Sequence, residues 1–381
     1  MIDSPSKTDL LSLTPAELTA FFQAHGEPAF RAGQVFSWFH RGIGFAGMTN
    51  LPRALREKLN DCAYAPFPTV EKKLVSKIDG TIKYLFTLHD GESVESVVMQ
   101  YHHGNTICVS SQVGCRMGCR FCASTLGGKI RDLAASEILG QVLIAQNDSG
   151  LRISNIVMMG IGEPLDNYDN VIRFLRLVGD PAGIQIGYRH ISLSTCGVVN
   201  RIYDLAKEQF PITLSISLHA ATDAERGALM PINQKWNIAQ LLTACRAYFE
   251  ATGRRISFEY TLIAGKNDTI RQANILADTL HRYLPSTMPL HVNLIPLNEV
   301  AERPFSHSDA KQVEAFAQAL SARKINATVR RRLGPDINAS CGQLRRAQMQ
   351  TPHADADSGV PTEPFPSENG NPKENKTHAL R

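Results

Sequence analysis

At 381 residues, 43% of them apolar and 20% charged, the chain is long enough to bury a sizeable core, which excludes a mini-protein held together by cross-links. No apolar run approaches the roughly twenty residues that span a bilayer, and Met1-Ile2-Asp3-Ser4-Pro5-Ser6 shows no charged-then-apolar export pattern. The formal net charge is +4, but residues 351–381 carry −2, so the rest of the chain carries +6, concentrated in Arg323, Lys324, Arg330, Arg331, Arg332, Arg345 and Arg346. That excess fits either a solvated basic face or a polyanionic partner.

In chain order, residues 1–9 read as unstructured. Thr14-Pro15-Ala16-Glu17 carries a helix start, with threonine as cap, proline at the first position and glutamate three residues after the cap. Ala29–Arg41 and Leu51–Asp61 read as two further helices, which makes 1–65 a small helical unit. Its Phe36, Trp38 and Phe39 fit a core, and its Arg31, Arg41, Arg53, Arg56 and Lys58 a basic surface. Over 66–105 the pattern changes to short alternating runs broken at Asp79-Gly80 and Asp90-Gly91, the signature of antiparallel hairpins. Glu95 sits on the last of these strands.

From Thr106 onward six apolar, β-rich runs alternate with helical segments: 107–111, 155–159, 190–194, 212–217, 256–262 and 290–295. Buried parallel strands alternating with helices imply a partial (β/α)6 barrel over 106–346, with a last extension near Ile325–Arg331. After Arg346 the composition turns to Pro, Ser, Asn, Asp and Glu, so 347–381 reads as a disordered tail. In parallel barrels ligands bind at the C-terminal strand ends. The unusual features cluster there: Gly160-Ile161-Gly162-Glu163-Pro164, Ser194-Thr195-Cys196-Gly197, Ser217-Leu218-His219 and Asn293–Asn298.

The loop after the first parallel strand carries Cys115, Cys119 and Cys122, with glycines at 114 and 118 that let it curl until three thiolates face one centre. Such a set holds a soft metal. Structural zinc wants four protein ligands, and no second Cys-x-x-Cys pair or close histidine follows. A [4Fe–4S] cluster bound by these three would keep one iron open for a small molecule. The remaining choice is zinc in a non-catalytic binding protein, or three unrelated buried cysteines. Of the eight cysteines, without an export signal, the others are 62, 108, 196, 245 and 341; this usage points to free thiols and metal in a reducing compartment, the cytoplasm. Cys62, Cys196 and Cys245 read as packing residues. Cys341, in a loop after the final strand, and Cys108, at the end of the first, would bring two thiols to one mouth and suggest thiol chemistry.

The spacing of Cys115, Cys119 and Cys122, with Phe121 before the last, resembles the radical S-adenosylmethionine (SAM) superfamily, in which the open iron chelates SAM. Taken with GIGEPLDNYDNV, SLHAATDAERGALMPIN, HVNLIPLN and DINASCGQL, the run QVGCRMGCRFCASTLGG resembles the RlmN family of radical SAM adenine C2 methyltransferases, over about residues 14–346. The resemblance implies a [4Fe–4S] cluster on Cys115, Cys119 and Cys122, two SAM molecules per turnover, and SAM contacts at Gly162, Glu163, Ser194, Ser217, Leu218, His219 and Asn293. It implies that Cys341 accepts a methyl group from a first SAM. A radical from a second SAM then turns that methyl into a carbon radical that adds to C2 of adenine. Cys108 would release the adduct through a disulfide with Cys341, and Glu95 would accept the proton. The expected partners are 23S rRNA, tRNA and an electron donor such as flavodoxin, with a monomeric chain, no membrane, and the 1–65 unit facing RNA. The sister activity, methylation at C8, is the alternative. Leu333 and Ser340 depart from the family's pattern, which has arginine and alanine there.

Overall fold

The computed structural model describes residues 7–339, 342 and 344. Cys341 and the tail from 347 fall outside them. Chain order begins with a two-residue strand β1 (Thr8–Asp9) and helices α1 (Pro15–Ala24), α2 (Phe30–Phe39) and α3 (Arg53–Cys62), closed by β2 (Ala63–Tyr64) pairing parallel to β1. The expected capping box at α1 forms: Glu17 N–H donates to Thr14 Oγ1, and Thr14 N–H donates back to the Glu17 carboxylate at 2.8 Å. Phe36 and Phe39 are buried, and Trp38 is half-buried with its indole N–H on Asn50.

Three strands follow as an antiparallel meander, β3 (Thr69–Val75), β4 (Ile82–Thr87) and β5 (Ser93–Tyr101), turned at the two Asp-Gly pairs. β5 then pairs antiparallel with β6 (Gly104–Cys108), the first strand of the parallel set. The meander is therefore the edge of the main sheet. A short antiparallel pair, β7 (Gln112–Gly114) and β8 (Lys129–Asp132), clamps the two ends of the cysteine loop.

Helix and strand then alternate: α4 (Ala135–Ser149), β9 (Ile153–Met158), α5 (Tyr168–Val178), β10 (Ile191–Thr195), α6 (Val199–Lys207), β11 (Thr213–Ser217), α7 (Asp223–Leu229), α8 (Ile238–Thr252), β12 (Ile256–Leu262), α9 (Ile270–Tyr283), β13 (His291–Pro296), α10 (Ala310–Ala322) and β14 (Asn326–Val329). The ten-stranded sheet runs β14-β13-β12-β11-β10-β9-β6-β5-β4-β3, parallel from β14 to β6. All six expected parallel strands are present within a few residues of their expected bounds, and β14 is the expected extension. One cavity of roughly 440 Å³ touches residues of every parallel strand from β6 to β13 and Arg330 beyond β14, so the sheet curls around it as a partial barrel. Among the described residues no helix is long and apolar enough to cross a membrane. The apolar core is continuous from α1–α3 into the barrel.

Candidate active site

The cysteine loop is fixed at several points by its backbone. Cys115 N–H donates to the Gly128 carbonyl at 2.8 Å, and Arg120 N–H to the Leu229 carbonyl at 2.9 Å. The Thr125 hydroxyl lies 3.0 Å from the carbonyls of both Cys119 and Cys122, and takes a bond from Arg303 at 3.1 Å. Cys115, Cys119 and Cys122 line one cavity of roughly 260 Å³. Burial pushes the Cys115 thiol up to about 12, with Cys122, Glu163 and Asp166 adding to it, and pushes Cys119 well above the usual thiol range. Thiolates here need a cation to hold them, and three sulfur donors suit a soft one. The three thiols wall one cavity, a sulfur donor set that fits an iron–sulfur cluster.

The same cavity is lined by Gly162, Glu163, Ser194, Ser217 and His219. Gly162, at φ +108°, lies so close to the cysteine loop that a Cβ there would meet Gln112 N at 2.7 Å. Glu163 N–H donates to Gln112 Oε1 at 2.8 Å, and the Gln112 amide donates to Asp132 and Asp166 at 2.8 and 2.9 Å. Gln112 thus ties the start of the cysteine loop to the Gly-Glu-Pro turn. The buried Glu163 carboxylate accepts Leu165 N–H at 3.0 Å and Cys196 N–H at 2.7 Å; burial pushes its carboxyl up, against the pull of those bonds.

His219 accepts Thr261 N–H on Nδ1 at 2.9 Å, so its ring proton sits on Nε2. Burial, with Arg226 nearby, lowers it to about 3 and keeps the ring neutral. Leu218 is buried without lining this cavity, and Asn293 lines the larger one beneath it. The two cavities share Glu259, whose carboxylate accepts the Asn293 amide at 2.7 Å and the Ser257 hydroxyl at 2.9 Å. Sequence reading missed Glu259 and Arg226. It also assigned Cys196 to packing, whereas Cys196 lines the cysteine cavity.

Cys108 does not line the cysteine cavity itself. It is buried, its thiol pushed up by desolvation, and it lines an adjoining cavity of roughly 160 Å³ with Arg331, Arg332, Leu333 and Ala339, which shares Met159, Ile295, Asn298 and Arg330 with the first. The apolar Leu333 packs with Val97, Met99 and Cys108. Glu95 is 2% exposed, 3.1 Å from the Lys83 ammonium, and accepts Gly342 N–H at 2.9 Å. Cys341, the expected methyl carrier, lies outside the described residues.

A curled parallel sheet with three cysteines at the first strand's exit and a polar cavity beside them defines a radical SAM enzyme, and residues 109–274 match the family model of the Radical SAM superfamily. Residues 8–65 match the model of the ribosomal RNA large subunit methyltransferase N-terminal domain. A radical SAM methyltransferase from Sphaerobacter thermophilus superposes with a TM-score of 0.83 at 42% identity, covering 88% of this chain and 98% of that one. The probable dual-specificity RNA methyltransferase RlmN of Clostridium acetobutylicum is 50% identical over 343 residues, 90% of this chain and 98% of its own. Its counterpart in Alkaliphilus metalliredigens is 51% identical over 341 residues, 89% of this chain and 96% of its own. The chain belongs to the RlmN family. Its cofactors are accordingly a [4Fe–4S] cluster and SAM, two SAM per turnover being the family's trait.

Proposed function

We propose that this chain methylates C2 of an adenosine in 23S rRNA and in tRNA, carrying the methyl group on Cys341. The observation that carries this reading is the seat of Gly342, the residue after Cys341. Its N–H donates to Glu95, and a Cβ on it would meet Ala123 and Ser124, directly after Cys122, at 3.1 and 3.0 Å. That seat brings the residue after Cys341 beside both the cysteine loop and the buried Glu95, which supports the reading. The names of the close relatives support RNA as substrate.

Cys115, Cys119 and Cys122 would hold the cluster, which when reduced supplies an electron to cleave SAM to a 5′-deoxyadenosyl radical. Glu163 would bind the ammonium group of SAM, with Ser194, Ser217, His219 and Asn293 orienting the rest. Adenine C2 is electrophilic and its hydrogen is not usefully acidic, so a carbon radical on Cys341 solves what direct methylation cannot. Once the adduct has given up its unpaired electron, which the cluster could take back, Glu95 would take the C2 proton. The Cys108 thiolate would attack the sulfur of Cys341, the S–S bond forming as the S–CH2 bond breaks and leaves its electron pair, and then a proton, on the product carbon. Residues 8–65 would face RNA: Phe30, 60% exposed, has the Arg31 guanidinium 4.8 Å above its ring, a pair suited to stack on a base. The same reading assigns a cytoplasmic monomer and a flavodoxin-like electron donor.

The test is anaerobic reconstitution, then reaction with SAM, a reductant and either a 23S rRNA fragment or tRNA, with nucleosides identified by mass and fragmentation. Expected are 2-methyladenosine and 5′-deoxyadenosine, with methylation lost in Cys341→Ala. Finding 8-methyladenosine would overturn the position; SAM cleavage without a methylated nucleoside would overturn the substrate.

A further inference from the structure

The turn between β3 and β4, Lys77–Asp79, is braced against the segment that follows β14. Asp336 accepts the Ser76 hydroxyl at 2.7 Å and Lys77 N–H at 2.9 Å, and Asp79 accepts Gly334 N–H at 2.9 Å. Within the turn, Ser76 Oγ accepts Ile78 N–H at 3.1 Å and Asp79 N–H at 3.3 Å, and Asp79 accepts Thr81 N–H at 3.0 Å. From β5 the Gln100 amide donates to the Gly80 carbonyl at 3.0 Å. A tip bonded at so many backbone positions is preorganised. What it presents is unusual. Turn positions favour Gly, Asn, Asp and Ser, yet here stands Ile78, 68% exposed, more than any other large apolar side chain among the described residues. Its β-branched chain is stiff at χ1, so the apolar end keeps its direction. Lys77 beside it is exposed, and both acids of the tip, Asp79 and Asp336, are turned to backbone N–H groups. Leu333, directly before Gly334, and Ala339 line the cavity of Cys108 together with the exposed Arg331 and Arg332, with Glu299 near Arg332 as a further acid. The tip thus stands at the edge of that cavity, among cations.

We propose that Ile78 is a wedge for the RNA substrate: it enters the base stack beside the target adenosine and holds that base out, while Lys77, Arg331 and Arg332 take neighbouring phosphates. The proposal rests on the RNA-substrate reading given above. Cys108 and Glu95 are 9% and 2% exposed, so an adenine brought to them cannot stay stacked in its own strand. Leaving the stack is costly. An apolar side chain that fills the vacated step recovers part of that cost, as inserted side chains do in kinked duplexes. Cations around the wedge bind the splayed backbone without reading its sequence. A polar, solvated tip would hold no gap open.

The test uses cluster-reconstituted protein and the 23S rRNA fragment or tRNA that wild type methylates, made with 2-aminopurine at the target adenosine. The amino group at its C2 blocks turnover, and its fluorescence rises as the base unstacks. At saturating RNA, Ile78→Ser is expected to lose most of that rise and, on unmodified RNA, to slow single-turnover methylation roughly tenfold, with RNA affinity changed by less than about threefold. Ile78→Met, still apolar, is expected to restore both. Lys77→Gln is expected to weaken binding and to lower the slope of log Kd against log salt by about 1; an unchanged slope would overturn its phosphate contact. Ile78 is exposed, so its variants are expected to melt at the wild-type temperature. Wild-type fluorescence and rate in Ile78→Ser would overturn the wedge, as would a loss confined to affinity with the rate at saturation unchanged. The two readings fail differently. If wild type methylates neither RNA, the substrate reading falls and takes the wedge with it; if wild type methylates without any fluorescence rise, the wedge alone is overturned.

Discussion

Cys196, at the turn after β10, donates its backbone N–H to Glu163 Oε2 at 2.7 Å, so the exits of two neighbouring parallel strands are joined through one carboxylate. Its other oxygen accepts Leu165 N–H. Glutamine offers one acceptor where two N–H groups converge, and no charge for an ammonium. Glu163→Gln is therefore expected to cost about 1–3 kcal/mol of stability through one buried unsatisfied N–H, and to weaken SAM roughly tenfold to a hundredfold. Urea titration and calorimetric titration with SAM measure the two separately. Unchanged SAM affinity would remove Glu163 from the proposed ammonium site.

Gly162 allows no side chain. Its φ of +108° and the 2.7 Å separation of a would-be Cβ from Gln112 N mean that Gly162→Ala must push the Gly-Glu-Pro turn off the cysteine loop. The expected loss is about 2 kcal/mol or more. Because the turn and the loop share Gln112, iron and sulfide content after reconstitution should fall together with SAM binding. Full cluster content in this variant would show that the two move independently.

The strands were legible because each is a short apolar run ended by a polar or glycine-bearing turn; β12, Ile256–Leu262, has the same bounds in sequence and structure. The cysteine loop was legible from spacing alone. Other features were not. α10 was passed over although Val313, Phe316 and Leu320 repeat at helical spacing and are buried. Gln112 looks like an ordinary polar residue, because its role comes from three partners distant in sequence. Asn293 reads as a strand-end ligand, yet its amide is directed to Glu259 on the neighbouring strand, a register fact that no local pattern carries. Arg226 sits in a charged, helix-like run, which signals solvent, whereas the fold buries it to 1% exposure.

That buried arginine braces the cavity from behind. Its Nη2 donates to the Cys196 carbonyl at 2.6 Å and reaches the Ser217 carbonyl at 3.4 Å, while Nη1 donates to Asn233 at 3.0 Å. One guanidinium thereby spans the exits of β10 and β11. A lysine ammonium lacks the planar fork to reach both sides. Arg226→Lys is expected to cost about 2–3 kcal/mol and to weaken SAM binding, seen as a lower melting temperature and a raised Kd. Wild-type values of both would show that the brace is dispensable.

Between the N-terminal unit and the barrel, Arg173 on α5 donates to Glu17 Oε2 at 2.6 Å. That hydrogen bond is the main reason the Glu17 carboxyl is lowered to about 2 from an ordinary 4.5. A carboxyl depressed in the folded state contributes stability that is fully present above its unfolded value and is lost as pH falls toward the folded one. The window for Glu17 is therefore from about 4.5 down to about 2. Both side chains are more than a third exposed, so the pair is worth only about 0.5–1 kcal/mol. Glu17→Gln keeps an acceptor for the capping N–H of Thr14 and removes only the charge. It should be less stable than wild type by that amount at pH 7, and the gap should close as pH falls below 4.5. Urea unfolding of both proteins at a series of pH values checks this; a gap that stays constant down to acid pH would show that the ion pair does not hold the N-terminal unit to the barrel.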